Sequence, residues 1–226
     1  MENFGIPSDC PLFSGLSEEE ILHVLSCLRA VKRSYKKGTV VLRAGTENPK
    51  PGIVLSGRIC LEKTDFSGNR TLMTTLSAPS LFGEALIHTK DKTLPADVVA
   101  ATDAEILFLD AEKLASPCKN CCKEHVRILQ NTVVILSEKN KFLTQRLGHI
   151  TRRTLRGKIL AFLSEERTKQ HGNEIVIPFS REELAAYLAA DRSALSAELS
   201  KMQKEGFFTF RKNKFLLHPE KNGFSE

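Results

Sequence analysis

The sequence predicts an α+β chain in three parts: an N-terminal antiparallel β-roll, one long helix built to pair with a second copy, and a C-terminal unit of short helices closed by a hairpin. Three observations predict it. Glycine-punctuated runs of β-branched residues occupy positions 30–110, a heptad of mostly apolar side chains extends from Val126 to Ile150, and two helix N-caps, Ser180 and Asp191, precede an aromatic hairpin. A length of 226 residues accommodates two modest domains or one large one. With 41% apolar and 27% charged residues the composition is that of a globular protein. No apolar run approaches the ~20 residues of a membrane span, so no membrane is expected. The N-terminus lacks a basic segment followed by an apolar one, which predicts a cytoplasmic address and reduced thiols for the six cysteines. Cys118, Cys121 and Cys122 crowd into five residues, where neighbouring cysteines rarely bridge each other.

The chain opens with a helix from Ser17 to Leu28, for which Ser17 and Glu20 form a capping box. Strands follow at Thr39–Leu42, Ile53–Leu55, Ile59–Leu61, Thr71–Thr74 and Ile106–Leu109. Gly38, Gly45, Gly52, Gly57 and the Asp65–Gly68 turn separate them at intervals that suit an antiparallel roll and not βαβ units. The expected domains are 1–117 for this β-roll part, 118–150 for the dimerisation helix and 151–226 for the rest.

The long helix carries Val126, Leu129, Val133, Leu136, Asn140, Leu143, Leu147 and Ile150 at alternating spacings of three and four. That is a coiled-coil seam. Asn140 at an a-type position favours a two-stranded, in-register pairing, so a parallel homodimer is expected, against the alternative of one long helix packed on its own roll.

Beyond Thr151, Leu155, Ile159, Phe162 and Leu163 mark a helix running to His171-Gly172-Asn173, and Ile175–Pro178 reads as a strand. Ser180 and Glu183 form a second capping box, Asp191 caps the next helix, and Leu195, Leu199 and Met202 give that helix its apolar stripe. This is helix-turn-helix spacing. Arg192, Ser193 and Ser196 lie on the first turns of the second helix, as donors for base edges and phosphates, and Arg181 stands where it can anchor a flanking phosphate. Phe207–Phe210 and Phe215–Leu217 flank a basic tip containing Lys212 and Lys214. The unit therefore reads as a winged helix-turn-helix that binds double-stranded DNA. Charge agrees: residues 150–226 hold 14 Lys/Arg against 10 Asp/Glu, and residues 1–149 hold 19 against 17. Seven basic residues and no acidic one lie between Lys139 and Ser164, which suits a facing polyanion or a solvated helical face.

Taken together, Cys10–Ser17, Val54-Leu55-Ser56-Gly57-Arg58, Leu81-Phe82-Gly83-Glu84, the heptad helix, Phe179–Ala185 and Asp191–Ser196 resemble the CRP/FNR family of bacterial transcription regulators from Cys10 to Leu217. The resemblance implies that the roll is a cyclic-nucleotide-binding-like jelly roll with Gly83, Glu84 and Ala96 at an effector pocket. It also implies that the long helix transmits the effector state across a homodimer and that the winged unit binds a roughly palindromic operator, with RNA polymerase as a further partner.

Three departures qualify it. Cyclic-nucleotide binders of the family follow the Gly-Glu pair with a Pro-Arg pair whose guanidinium clamps the phosphate, whereas Pro95 here precedes Ala96. No Arg lies between Arg70 and Arg127, and Lys90 and Lys92 are point charges without the fork geometry. The effector is therefore expected to be a small molecule other than cyclic AMP, or a redox signal. The N-terminal cysteine cluster of the iron-sulfur members is also missing, with only Cys10 and Cys27 ahead of Cys60, and no cofactor is expected. Cys118, Cys121, Cys122 and His125 share one helical face and are the candidates for a thiol- or metal-sensing alternative. Four ligands on one helix cannot surround an ion without a second chain, so packed and surface thiols are the expectation. Finally, Ala197 and Glu198 stand where many relatives carry an Arg one residue after the Ser196 position. Ala197 suits a thymine methyl and Glu198 a cytosine amino group, or both are solvated.

Two other function classes compete. A cyclic-nucleotide-type module acting on a protein partner would leave the basic winged unit without a role. An enzyme built on the Cys/His group would lack an oxyanion site and a second carboxylate, so no enzymatic activity is expected.

Overall fold

A computed structural model describes residues 4–64, 70–86, 89, 91–116 and 122–218. The Asp65–Gly68 turn, Lys90, Cys118 and Cys121 lie outside the described residues. The chain divides into two compact units, Met1–Glu138 and Lys139–Glu226.

The first unit opens with a short 3-10 turn, Pro11–Phe13, and α1 (Glu18–Cys27), whose capping box forms with Ser17 and Glu20 as the sequence predicts. Eight antiparallel strands follow: β1 (Val31–Tyr35), β2 (Val40–Leu42), β3 (Gly52–Ser56), β4 (Arg58–Thr64), β5 (Arg70–Ser77), β6 (Ser80–Phe82), β7 (Asp97–Ala100) and β8 (Ala104–Phe108). They form two four-stranded sheets, ordered β1-β8-β3-β6 and β2-β7-β4-β5. The first sheet is covered on both faces, which explains why its central strands are unbroken apolar runs. Ile53, Leu55, Leu107 and Leu109 pack with Leu12, Phe13, Val24, Leu25 and Leu28 from the N-terminal helices. The alternate residues Val54, Ile106 and Phe108 pack with Ile59 and Val98 of the second sheet. Only glycine fits between β3 and β4: at Gly57 φ is +79°, and a Cβ would lie 2.1 Å from the Asp103 carbonyl oxygen.

After α2 (Ala111–Ala115), capped by Asp110, comes the 28-residue α3 (Lys123–Ile150). Its N-terminal half packs on the roll through Ile128, which is fully buried, and Asn131 donates to the carbonyls of Leu12 and Ser14 at 2.9 Å each.

The second unit contains α4 (Leu155–Gln170), β9 (Glu174–Val176), α5 (Arg181–Tyr187), α6 (Arg192–Lys204), β10 (Phe208–Arg211) and β11 (Lys214–Leu217). Its three strands form one antiparallel sheet, ordered β10-β11-β9. A single core joins Ile159, Phe162 and Leu163 of α4, Leu184 and Leu188 around α5, and Leu195, Leu199 and Met202 of α6 to Phe208 and Phe215 of the hairpin. Ala185, buried between helices, admits their close crossing.

Candidate nucleic-acid interface

The two helices of the helix-turn-helix are set by their caps. Ser180 Oγ accepts from the Glu183 N–H and Glu183 Oε2 accepts from the Ser180 N–H at 2.7 Å, which fixes the start of α5. Asp191 accepts from the N–H groups of Ser193 and Ala194 at 2.8 and 3.0 Å and starts α6. These bonds, led by the one from the Ser193 hydroxyl, hold the Asp191 carboxyl below the ordinary carboxylate range. The turn between the helices passes through Ala189 at φ +47°, the left-handed region.

Cations brace that turn. Arg146 donates to the carbonyls of Ala186 and Tyr187, and Lys158 Nζ to those of Leu188 and Ala189, so the last carbonyls of α5 find partners outside their own helix. Arg156 binds Glu198 of α6 (Nε to Oε1, 2.7 Å) and Glu205 just beyond it (Nη1 to Oε2, 2.8 Å). Three of the seven cations in the basic stretch thus serve the internal architecture of the unit. Arg152 and Arg153 remain exposed. Glu198, read from sequence as a base contact or a solvated position, is instead half-buried in the ion pair with Arg156.

Arg192, Ser193 and Ala197 are exposed and Ser196 is half-buried, so all four stand on successive turns of the N-terminal part of α6. The serine hydroxyls have local acceptors: Ser193 Oγ donates to Asp191 Oδ1 and Ser196 Oγ to the Arg192 carbonyl. Their lone pairs stay available, which suits them to accept from a base amino group. Ser200, exposed one turn beyond Ser196, extends the same face past the first turns read from the sequence.

The hairpin tip is brought against the start of α5. Arg181 Nη2 donates to the Lys212 carbonyl at 3.4 Å, and its guanidinium lies 5.0 Å from the centre of the Phe210 ring. Burial lowers the Arg181 pKa from its ordinary value. Lys212 adopts φ +56° at the turn, Asn213 binds Ile177 through both its backbone carbonyl and its side-chain amide, and Arg211, Lys212 and Lys214 are exposed.

In the first unit, Gly83 follows β6 with φ +77°, Glu84 is buried at the head of a 3-10 turn, and Ala96, 1% exposed, precedes β7. On α3 none of the eight seam positions is buried: Val126, Val133, Leu143 and Leu147 are 41%, 62%, 58% and 56% exposed, Asn140 is exposed, and Leu129, Leu136 and Ile150 are half-buried. The helix buries other residues, His125, Ile128, Thr132 and His149. His125 is turned into the core, where Nε2 takes the Lys113 carbonyl, while Cys122 is only half-buried. Those two side chains therefore do not share a ligand position.

Residues 32–121 match the family model of the cyclic nucleotide-binding domain, and residues 157–221 that of the Crp-like helix-turn-helix domain. The chain is similar to the cyclic AMP receptor protein of Thermus thermophilus, 24% identical over 197 residues that make up 87% of each chain. Two solved structures show the same fold. The c-di-GMP responsive global regulator CLP of Xanthomonas campestris is 18% identical, with 89% of this chain and 99% of that chain covered and a TM-score of 0.58. A CooA variant from Carboxydothermus hydrogenoformans is 20% identical, with 89% and 93% covered and a TM-score of 0.60. No helix among the described residues is long and apolar enough to cross a membrane. With a nucleotide-binding-type roll ahead of a Crp-like helix-turn-helix on one polypeptide, the chain belongs to the CRP/FNR family and is a ligand-responsive, DNA-binding transcription regulator.

Proposed function

We propose that this regulator reads a roughly palindromic operator as a parallel homodimer, paired along the 118–150 segment, and that its effector is not cyclic AMP. The observation that carries the dimer is the row of solvent-facing apolar residues on α3, Val126, Val133, Leu143 and Leu147, on a helix that already buries a different stripe against its own roll. Residues 1–117 then sense the effector near Gly83, Glu84 and Ala96, and residues 151–226 bind DNA. Base edges are read by Arg192, Ser193 and Ser196, while Lys212, Lys214 and Arg181 hold the neighbouring phosphates. The effector reading is supported by Ala96, a buried methyl group at the position that supplies a guanidinium in nucleotide binders of the family. The protein acts by binding, without catalysis, in the cytoplasm, with RNA polymerase as its partner downstream.

Operator selection followed by fluorescence anisotropy at several salt concentrations tests the reading. Arg192→Ala is expected to lose ~1–3 kcal/mol at one base position and to relax sequence preference there. Lys212→Ala is expected to weaken all DNA alike and to lower the salt slope by about one. Two half-sites should be centred one helical turn apart, about 34 Å. Identical behaviour of the two variants, or no preferred sequence, overturns the assignment of α6 as reader.

A further inference from the structure

Among the described residues, one group of His, Cys, Asp or Glu side chains brings three donor atoms within 4.8 Å of one another: His23, Cys122 and Glu124. The sequence had suggested ligands spaced along a single helix. The structure sends His125 into the core and sets beside Cys122 a histidine from α1, 99 residues earlier in the chain. His23 lies on α1, Cys122 immediately precedes α3, and Glu124 is in the first turn of α3, all within the first compact unit. Val24, Leu25 and Ile128 in one core hold the two helices in place.

We propose that His23, Cys122 and Glu124 form a binding site for a divalent transition-metal ion of the zinc type, which ties α1 to the start of α3. A thiolate, an imidazole and a carboxylate make a mixed soft and borderline set that suits zinc, whereas magnesium and calcium favour oxygen alone. A tetrahedral ion with bonds of ~2.0–2.3 Å places its donors roughly 3.3–3.8 Å apart. His23 Nδ1 and Glu124 Oε1 already stand 3.7 Å apart, too far for a good hydrogen bond and right for two ligands of one ion. No separation in the trio exceeds 4.8 Å, so at most about 1 Å has to close around an ion, and His23 is exposed. Binding as a thiolate sends the proton of the Cys122 thiol to solvent. The fourth position is left for water or an exchangeable ligand. Val126, where the exposed seam of α3 begins, is one turn beyond Cys122, so occupancy orders the turn from which that seam starts. This site is independent of the α6 reading, and its test uses no DNA.

The test is titration of the full-length, metal-free protein with cobalt(II) alone, followed by displacement with zinc. One equivalent should bind with a thiolate-to-cobalt charge-transfer band in the near ultraviolet and the visible bands of a tetrahedral ion. His23→Ala and Glu124→Gln should each weaken binding at least as much as the ~10–100-fold typical of losing an outer-sphere partner. Cys122→Ser should abolish the charge-transfer band. His23 is exposed, so its variant should melt like the parent. A second measurement guards against a misfolded Cys122 variant: zinc should protect Cys122 of the parent from alkylation, read by mass spectrometry, and His23→Ala should remove that protection. The proposal is overturned if micromolar cobalt does not bind. It is equally overturned if the charge-transfer band persists at parental affinity in His23→Ala and Glu124→Gln, which would assign the ion to thiols alone.

Discussion

Replacing Leu143 by Glu should split the proposed dimer while leaving the protomer folded. Leu143 is 58% exposed on α3, so folding of one chain uses less than half of its apolar surface. Full burial of a leucine is worth ~1.5–3 kcal/mol, which leaves about 1–1.5 kcal/mol per chain to be gained on pairing. A carboxylate facing its own copy across a two-fold axis adds desolvation and like-charge repulsion of at least ~1 kcal/mol per chain. Both terms count twice in a symmetric pair and sum to about 4–5 kcal/mol, or roughly a thousandfold rise in the dissociation constant. Within one chain the same position is solvated, so the unfolding free energy of the dissociated protomer should change by no more than ~0.5 kcal/mol. Sedimentation velocity over a concentration series, paired with circular-dichroism melts, reads the two effects separately. An unchanged dissociation constant would refute the seam. A cooperative loss of structure would show that Leu143 supports the protomer itself.

Three further outcomes are expected. Ser180→Ala removes one half of the capping box on α5 and should destabilise the C-terminal unit by ~1 kcal/mol, measured by denaturant unfolding of the full chain. Calorimetry with cyclic AMP should give no binding at micromolar concentrations, and tight binding would require a phosphate partner other than a guanidinium beside Pro95. His149 is buried between Glu165 of α4, 2.9 Å from Nε2, and the Tyr187 hydroxyl, 3.0 Å from Nδ1, with Glu166 and Lys169 of α4 also acting on it. Burial holds its pKa below the ordinary 6.5 against the pull of Glu165, so below that pH the unfolded chain binds more protons than the folded one. The stability contribution is present above pH 6.5 and is lost as pH falls through the folded value. His149→Gln should flatten the fall in melting temperature between about pH 7 and about pH 5, and an equal fall in both proteins would remove His149 as its cause.

The elements that the sequence made legible are those with local signals. Both capping boxes, the Asp191 cap and the aromatic hairpin depend on residues within a few positions of each other, and each forms where the pattern placed it. Central strands were visible because burial on two faces demands continuous apolar runs, as in Ile53–Leu55 and Ile106–Leu109. The edge strand β1, Val-Lys-Arg-Ser-Tyr, carries no such run, and the three- and four-residue β6 and β7 are too short to show a period. The cations between Lys139 and Ser164 were legible as charge and illegible in purpose. Arg146 and Lys158 meet carbonyls 30 to 41 residues away, and Arg156 meets Glu198 42 residues away, separations that composition cannot encode. The same distance effect hid His23 from Cys122, since only the fold brings α1 to the head of α3.

The anchoring of the hairpin tip has a thermodynamic consequence. Lys212 and Asn213 are fixed from two sides, by the Arg181 guanidinium and by the paired contacts of Asn213 with Ile177, while the stacked rings of Phe210 and Phe215 lie directly behind them. Backbone ordering costs ~1–2 kcal/mol per residue, and here that loss of freedom occurs during folding. A polyphosphate strand arriving at the tip meets charges whose scaffold is already immobile, and only the lysine and arginine stems remain to be ordered on contact. Loosening the uncharged Asn213 tether should therefore weaken association through entropy, with every charge still in place.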